Sequence, residues 1–343
     1  MAGVATKLGI TMLDERKTAI LRAVVQEYIG TGQPVGSTHI SSSSGINVSS
    51  ATVRNEMAVL EQEGFLAQPH TSAGRIPTDK GYRFFVDHLT EPGRLDETRS
   101  AEVGDFFSAA HGRLEELLHQ TSDLLTRLTN SASMVLGPTA AAAVVRSVQI
   151  VGLSTTTATA ILVLSNGTVT SEVLDLPEAT NDDEIRRAAA HLDSMLSGRS
   201  IADSESVSTV GDPRVDAIAT AALAALRRAS NDDQVFVGGA STVAASFDAV
   251  EVVRDVLHTL EQQFVVVSLV QNILDRGMSV AIGVEHGVEP LAACSVVVAP
   301  VVVDGEHLGS VGVLGPTRMN YPQALATVGL VSDRLGRHLG DAG

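Results

Sequence analysis

Four residues in one short stretch have the types and the spacing to read a base pair. Between positions 49 and 60 the order Ser-Ser-Ala-Thr-Val-Arg-Asn-Glu-Met-Ala-Val-Leu puts Val53, Met57 and Leu60 at i, i+4 and i+7, one apolar face of a helix. Ala51 and Asn55 then point roughly the opposite way, with Thr52 and Arg54 on the flanks. Asparagine pairs bidentately with adenine, arginine with guanine, and a small methyl meets thymine. Ala51, Thr52, Arg54 and Asn55 are therefore candidate base contacts. Ser49 fits an N-cap, with Val48 before it and Val53 at the fourth helical position as a hydrophobic staple. Ser49 and Ser50 are better placed for phosphate, where the helix dipole and free amides also help. A solvated helix face without a partner has the same composition, so the surrounding elements must decide.

Those elements follow one another with almost no spacer. Asp14 can cap a first helix whose Ile20, Leu21, Val24, Val25, Tyr28 and Ile29 keep helical spacing, and Gly30 and Gly32 stop it. A short helix at 37–44 ends at Gly45 and leads into the candidate reading helix. A short strand, 65–68, then runs into a glycine-bearing tip carrying His70, Thr71, Ser72 and Arg75, a hairpin suited to touch backbone or minor groove. Thr78 caps a helix at 79–89 whose Tyr82, Phe85, Val86 and Leu89 can pack back on the core. The set 35–87 reads as a winged helix-turn-helix, and the partner it implies is double-stranded DNA. No second histidine or carboxylate is spaced to make His70 a metal ligand.

Charge localises that reading. Of 24 Lys+Arg and 40 Asp+Glu in 343 residues, positions 1–90 hold 8 of each, so the whole net charge of −16 lies in the remainder. An acidic body repels phosphate and confines any DNA contact to the first quarter. The length implies two or three domains. A single cysteine, Cys294, in an apolar stretch excludes an internal disulfide and a cysteine-rich zinc site, and reads as a buried small hydrophobe. No apolar run is long enough to span a bilayer, and the N-terminus lacks a signal-peptide pattern, so no membrane partner and a cytoplasmic location are expected.

A helical segment reaches about residue 130, with Val103, Phe107, Ala110, Leu114, Leu117, Thr121, Leu124 and Leu128 in steps of four and three. Such a seam serves pairing with a second subunit or packing on its own domain equally well. Strands at 158–165 and 168–174 flank Asn166-Gly167, a strong hairpin signal, and a second hairpin joins 295–303 to 307–314 through Asp304-Gly305. With a strand at 280–284 and a final helix from Pro322, these suggest one antiparallel sheet with helices on one side. Positions 180–230 are acidic, Ala-rich and helical in spacing, followed by the strand-like 235–239 and a helix near 247–260, and read as an insertion into the sheet domain.

The strings Val48-Ser49-Ser50-Ala51-Thr52-Val53-Arg54-Asn55-Glu56-Met57 and Gln68-Pro69-His70-Thr71-Ser72-Ala73-Gly74-Arg75-Ile76-Pro77-Thr78-Asp79-Lys80-Gly81-Tyr82-Arg83 resemble the bacterial heat-inducible transcription repressor family (HrcA). Gly309-Ser310-Val311-Gly312-Val313-Leu314-Gly315-Pro316-Thr317-Arg318-Met319-Asn320-Tyr321 is similar to that family's other distinctive motif. The resemblance implies an α+β multidomain fold: a winged helix-turn-helix at 1–90, a linker helix at 91–140, a GAF-like antiparallel sheet domain from 141–178 and 268–343, and an inserted α/β dimerisation subdomain at 179–267. It implies a homodimer that represses chaperone operons at an inverted-repeat operator, is released on heat stress, and is kept active by the chaperonin. No cofactor is expected. The alternative is a small-molecule-responsive winged-helix regulator with a ligand in its GAF-like domain, where Arg318, Asn320 and Tyr321 could line a pocket or form a packed turn. An enzyme is not expected, because no dinucleotide, Walker or catalytic-triad pattern is present and Glu285-His286 lack zinc-protease spacing.

Overall fold

The computed structural model describes residues 13–43, 45–70, 74–89, 95–110, 113–138, 143–165, 168–177, 180–201, 204, 206–230, 235–247, 249–277 and 279–341. Its N-terminal module is built from α1 (Glu15–Thr31), α2 (Ser37–Ser41), α3 (Ser50–Gln62), β1 (Leu66–Ala67), β2 (Ile76–Pro77) and α4 (Asp79–Asp87). Local chemistry sets the helix starts. Asp14 accepts from Lys17 N, Ser49 from Thr52 N and Thr78 from Gly81 N, each satisfying a first-turn amide that has no helical partner. Gly32, at φ 66°, ends α1 in the left-handed conformation, while Gly30 stays helical. Ile20, Leu21, Val24, Val53, Leu60, Phe65 and Phe85 form the buried centre of this unit.

After α5 (Glu97–Ala109) and α6 (Leu114–Thr129) comes a five-stranded antiparallel sheet, in the order β7-β3-β10-β9-β8. Its strands are β3 (Ala132–Leu136), β7 (Val235–Gly238), β8 (Val280–Ile282), β9 (Cys294–Val303) and β10 (Glu306–Pro316). Period-two alternation divides its side chains between two cores. Val135, Val280, Val297, Val311 and Val313 face α6 and α12 (Tyr321–Asp341) on one side. Met134, Ala281, Val296, Val298 and Leu314 face α10 (Val250–Glu261) and α11 (Gln263–Asp275) on the other, with the short α9 (Ala240–Ser246) beside them. The Asp304-Gly305 turn has φ of 52° and 86°, the backbone a tight β9–β10 hairpin requires.

The seam of α5 and α6 is consumed inside the chain: Val103, Phe107, Thr121 and Leu124 are buried, and both helices pack on α12. Thr121, its polar member, donates to the Leu117 carbonyl at 2.7 Å.

The grouping of strands differs from the expectation. β4 (Val145–Gly152), β5 (Thr157–Leu164) and β6 (Val169–Asp175) pair only with one another, in the order β4-β5-β6. They pack on α7 (Asp182–Leu196) and α8 (Pro213–Ser230) around their own core of Val148, Ala160, Leu162, Leu192, Ile218 and Leu226. Segment 235–267, expected within the insertion at 179–267, instead returns to the large sheet, where β7 pairs with β3. A hairpin signal fixes which strands pair locally, not which sheet they join. Here the one-sided burial of Ala158, Ala160, Leu162 and Leu164 is covered by the next helices in the chain. The hairpin turn 166–167 lies outside the described residues.

Candidate nucleic-acid interface

The α3 helix presents the face that its sequence predicts. Val53, Met57 and Leu60 are buried, whereas Ala51, Arg54 and Asn55 are exposed and Thr52 is half-buried beside them. Among the described residues neither the Arg54 nor the Asn55 side chain has a hydrogen-bond or ion-pair partner, so both are free for a ligand. Ser49 is already engaged as the cap, with its Oγ 3.2 Å from Thr52 N and 3.0 Å from Thr52 Oγ1. Ser50 Oγ sits 3.2 Å from Ser37 Oγ, which ties α3 to α2.

The other described Lys and Arg side chains of the module are tied down. Arg16 pairs with Glu56 at 3.6 Å, Lys17 with Glu63 at 3.6 Å, and Arg22 donates to the His88 carbonyl. Lys80 donates to the Glu63 carbonyl at 2.7 Å and lies 4.2 Å over the Phe65 ring. Arg83 is held by Glu285 of the body. Exposed, Arg54 is thus the unpaired cation of this unit among its described residues.

The hairpin is braced at its base rather than at its tip. β1 and β2 pair Leu66 with Pro77 and Ala67 with Ile76, and Val35 exchanges two backbone hydrogen bonds of 2.9 Å with Arg75 as a third member. Gly74 is needed there, because a Cβ would fall 2.3 Å from the Val35 carbonyl oxygen. The Arg75 Nε lies 2.8 Å from Glu61 Oε2 on α3, an ion pair off the axis of a hydrogen bond. Arg75 therefore couples the hairpin to the reading helix, and would have to exchange Glu61 to reach a phosphate. His70 is exposed near the tip; Thr71 and Ser72 lie outside the described residues.

Residues singled out elsewhere have structural surroundings. Cys294 is buried, and burial pushes its thiol up to about 12. Tyr321 is buried, its hydroxyl 2.8 Å from Ser295 Oγ and donating to the Thr317 carbonyl at 2.6 Å. Asn320 accepts from Gln323 N at 3.2 Å at the start of α12. Positions 317–321 thus form a packed turn. Sequence reasoning passed over Glu61 and weighed Glu285 only against a zinc-protease pattern, missing both as the partners of Arg75 and Arg83; opposite charge was their only signal, and it does not reveal contacts between distant segments.

Comparison with known proteins places the chain. The family model described as "HrcA protein C terminal domain" matches residues 115–325. The chain is 35% identical over 339 residues to the heat-inducible transcription repressor HrcA of Streptomyces avermitilis, covering 96% of this chain and 100% of the relative. It is 36% identical over 341 residues to HrcA of Acidothermus cellulolyticus (96% and 100% covered) and 34% over 337 residues to that of Moorella thermoacetica (95% and 98%). A crystal structure described as a hypothetical protein shares the fold, with a TM-score of 0.68, 24% identity, and 97% and 100% of the two chains covered. These relatives are transcription repressors, not enzymes. Matched along nearly its whole length, the chain belongs to the HrcA family of heat-inducible transcription repressors.

Proposed function

We propose that this chain represses chaperone operons in the cytoplasm by binding an inverted-repeat operator as a homodimer, releases it on heat stress, and is kept active by the chaperonin. The observation that carries the DNA-binding part is the exposed Arg54-Asn55 face of α3, unpaired among the described residues, while the other described Lys and Arg side chains of the module are held by carboxylates or backbone carbonyls. With α2 before it and the β1–β2 hairpin after it, α3 is the recognition helix of a winged helix-turn-helix. Ala51, Thr52, Arg54 and Asn55 contact bases; Ser49, Ser50, His70, Thr71, Ser72 and Arg75 contact backbone.

The domain organisation we infer has the winged helix through residue 89, a linker of α5 and α6, a GAF-like sheet domain from β3 and 235–341, and an inserted subdomain at 143–230. The insertion is the dimerisation subdomain. Its helices cover one face of the β4-β5-β6 sheet, and among the described residues the other face is open. Val151, Thr159 and Val173 are cross-strand neighbours there, as are Ser147, Val163 and Val169, and Val169 and Val173 are 55% and 65% exposed. A second copy brings the matching face and closes it around a two-fold axis, the symmetry an inverted repeat demands. Heat release and chaperonin support rest on the family, whose members are named heat-inducible. Among the described residues no helix is long and apolar enough to cross a membrane.

The test is a binding titration of the full chain with a chaperone-promoter inverted repeat against scrambled DNA at fixed moderate salt, with and without chaperonin. Tight selective binding that chaperonin increases is the expected result. Equal weak binding to both duplexes by folded protein overturns the operator reading.

A further inference from the structure

The two most distinctive strings of the sequence end in residues that face neither α3 nor the hairpin tip. They face each other. From the first turn of α4, Asp79 turns its carboxylate toward the 3-10 turn 283–286 of the sheet domain. Its carboxylate lies over Gly283, where φ is +56° and an added Cβ would fall 2.1 Å from Oδ2. One turn later Arg83 donates from Nε to Glu285 Oε1 at 2.9 Å and from Nη2 to the Val280 carbonyl at 2.8 Å, with Nη2 also on Glu285 Oε2. Glu285 is held in turn: Oε2 accepts from Ile282 N at 2.9 Å, and its carbonyl accepts from Arg276 at 2.9 Å.

Between these contacts Tyr82 packs on Tyr321, with ring centroids 5.8 Å apart. The Arg318 guanidinium lies against Gly32, the C-cap of α1, and donates to the Ser246 carbonyl at 3.4 Å. The buried apolar side chains of the N-terminal module and of the sheet face under α12 form one continuous core. A module tethered only by a linker would show none of this. Backbone hydrogen bonds, a bidentate ion pair and shared packing together define one orientation, because each has a narrow range of distance and angle.

We propose that Asp79, Tyr82 and Arg83 of α4, with Gly283, Glu285 and Tyr321 of the sheet domain, are positioning residues that fix the angle at which α3 is carried. The separation of two operator half-sites is then read through this joint, without any DNA contact by these residues. One added base pair shifts a half-site by about 3.4 Å and turns it by about 35°, so a rigid dimer accepts one spacing and a loosely tethered one accepts several. The spacing readout rests on the dimeric operator reading given above. The orientation itself does not.

Two measurements on the full chain test it. In the first, wild type, Arg83→Gln and Asp79→Asn are titrated with inverted repeats whose spacer is changed by one to five base pairs, and with a duplex holding one half-site. Wild type should discriminate between spacers by at least about tenfold. Both variants should bind all spacers within about threefold of one another, with single half-site affinity unchanged. A wild-type spacer profile in a folded variant overturns the proposal, and so does an equal loss on every duplex including the half-site.

In the second, spin labels on Gln62→Cys in α3 and Asp333→Cys in α12, both exposed positions, report the distance between module and body without DNA. The distribution should be narrow in the otherwise wild-type chain and broaden with Arg83→Gln. A broad distribution before that substitution overturns the joint, whatever the operator data say. Failure of wild type to select an inverted repeat over scrambled DNA, together with a narrow distance, overturns the operator reading and the spacing function while leaving the fixed orientation.

Discussion

Arg54 and Asn55 stand apart from their neighbours because no described residue uses their side chains, whereas Arg75, just before β2, is already spent on Glu61 at 2.8 Å. The difference separates two kinds of loss. Arg54→Ala and Asn55→Ala should each cost about 1–3 kcal/mol at the operator and relax preference at one base position, measured against single-base operator variants. Arg75→Ala should weaken all sequences together and flatten the salt dependence, since it removes a cation near the backbone and leaves Glu61 uncompensated beside α3. If Arg54→Ala loses affinity equally on random DNA, the reading face is misassigned. At this scale the sequence was informative: helical periodicity alone put Val53, Met57 and Leu60 inward and Ala51 and Asn55 outward. It could not show that Arg75 is paired with Glu61, because that depends on where the side chains of two separate elements turn.

At the scale of elements, the one-turn 3-10 helix Gly283–His286 carries a histidine with a defined protonation state. His286 Nε2 donates to the Leu291 carbonyl at 3.0 Å, and Nδ1 accepts from Val288 N at 3.2 Å, so the neutral ring satisfies both partners. A second proton would face the Val288 amide. Burial holds the pKa of His286 below its usual 6.5, against the opposing effect of the Leu291 and Cys294 backbone and, more weakly, of nearby Glu285 and Asp79. A depressed folded pKa means that the unfolded chain binds the proton first as pH falls. Stability is therefore fully present above about 6.5 and declines below it, by at most about 1.4 kcal/mol per pH unit. Melting temperatures compared at pH 7.5 and 5.5 should fall more for wild type than for His286→Gln; an equal fall would show that His286 is not buried neutral. Burial raises the Asp79 carboxyl instead, so its protonation favours the folded state as pH falls.

For the whole molecule, the acidic charge and the open sheet face bear on assembly. The insertion adds three strands whose outward Val151, Val169 and Val173 are exposed among the described residues, and covering them with a second copy is what the dimer reading requires. Val173→Asp places a charge at a position 65% exposed in the single chain, so the subunit should fold normally. Buried against a partner, the same charge would be costly. Sedimentation should show a monomer, and operator affinity should fall at least about 100-fold through loss of the second half-site. A dimer that persists with unchanged affinity would place the interface elsewhere.

The sequence by itself determined what is written in local patterns. Helix caps at Asp14, Ser49 and Thr78, the polar face of α3, the turn at Asp304-Gly305 and the neutral N-terminal quarter all depend on residues a few positions apart or on composition. The tertiary structure decided which hairpin joins which sheet, since strand-pairing groups are alike along the chain and only packing of the remaining face selects the partner. It also decided that the α5–α6 seam packs on α12, because an apolar stripe buries equally well against its own chain or another. Last, it decided that Asp79 and Arg83 meet 280–285: long-range contacts between charges appear only once the core between them has formed.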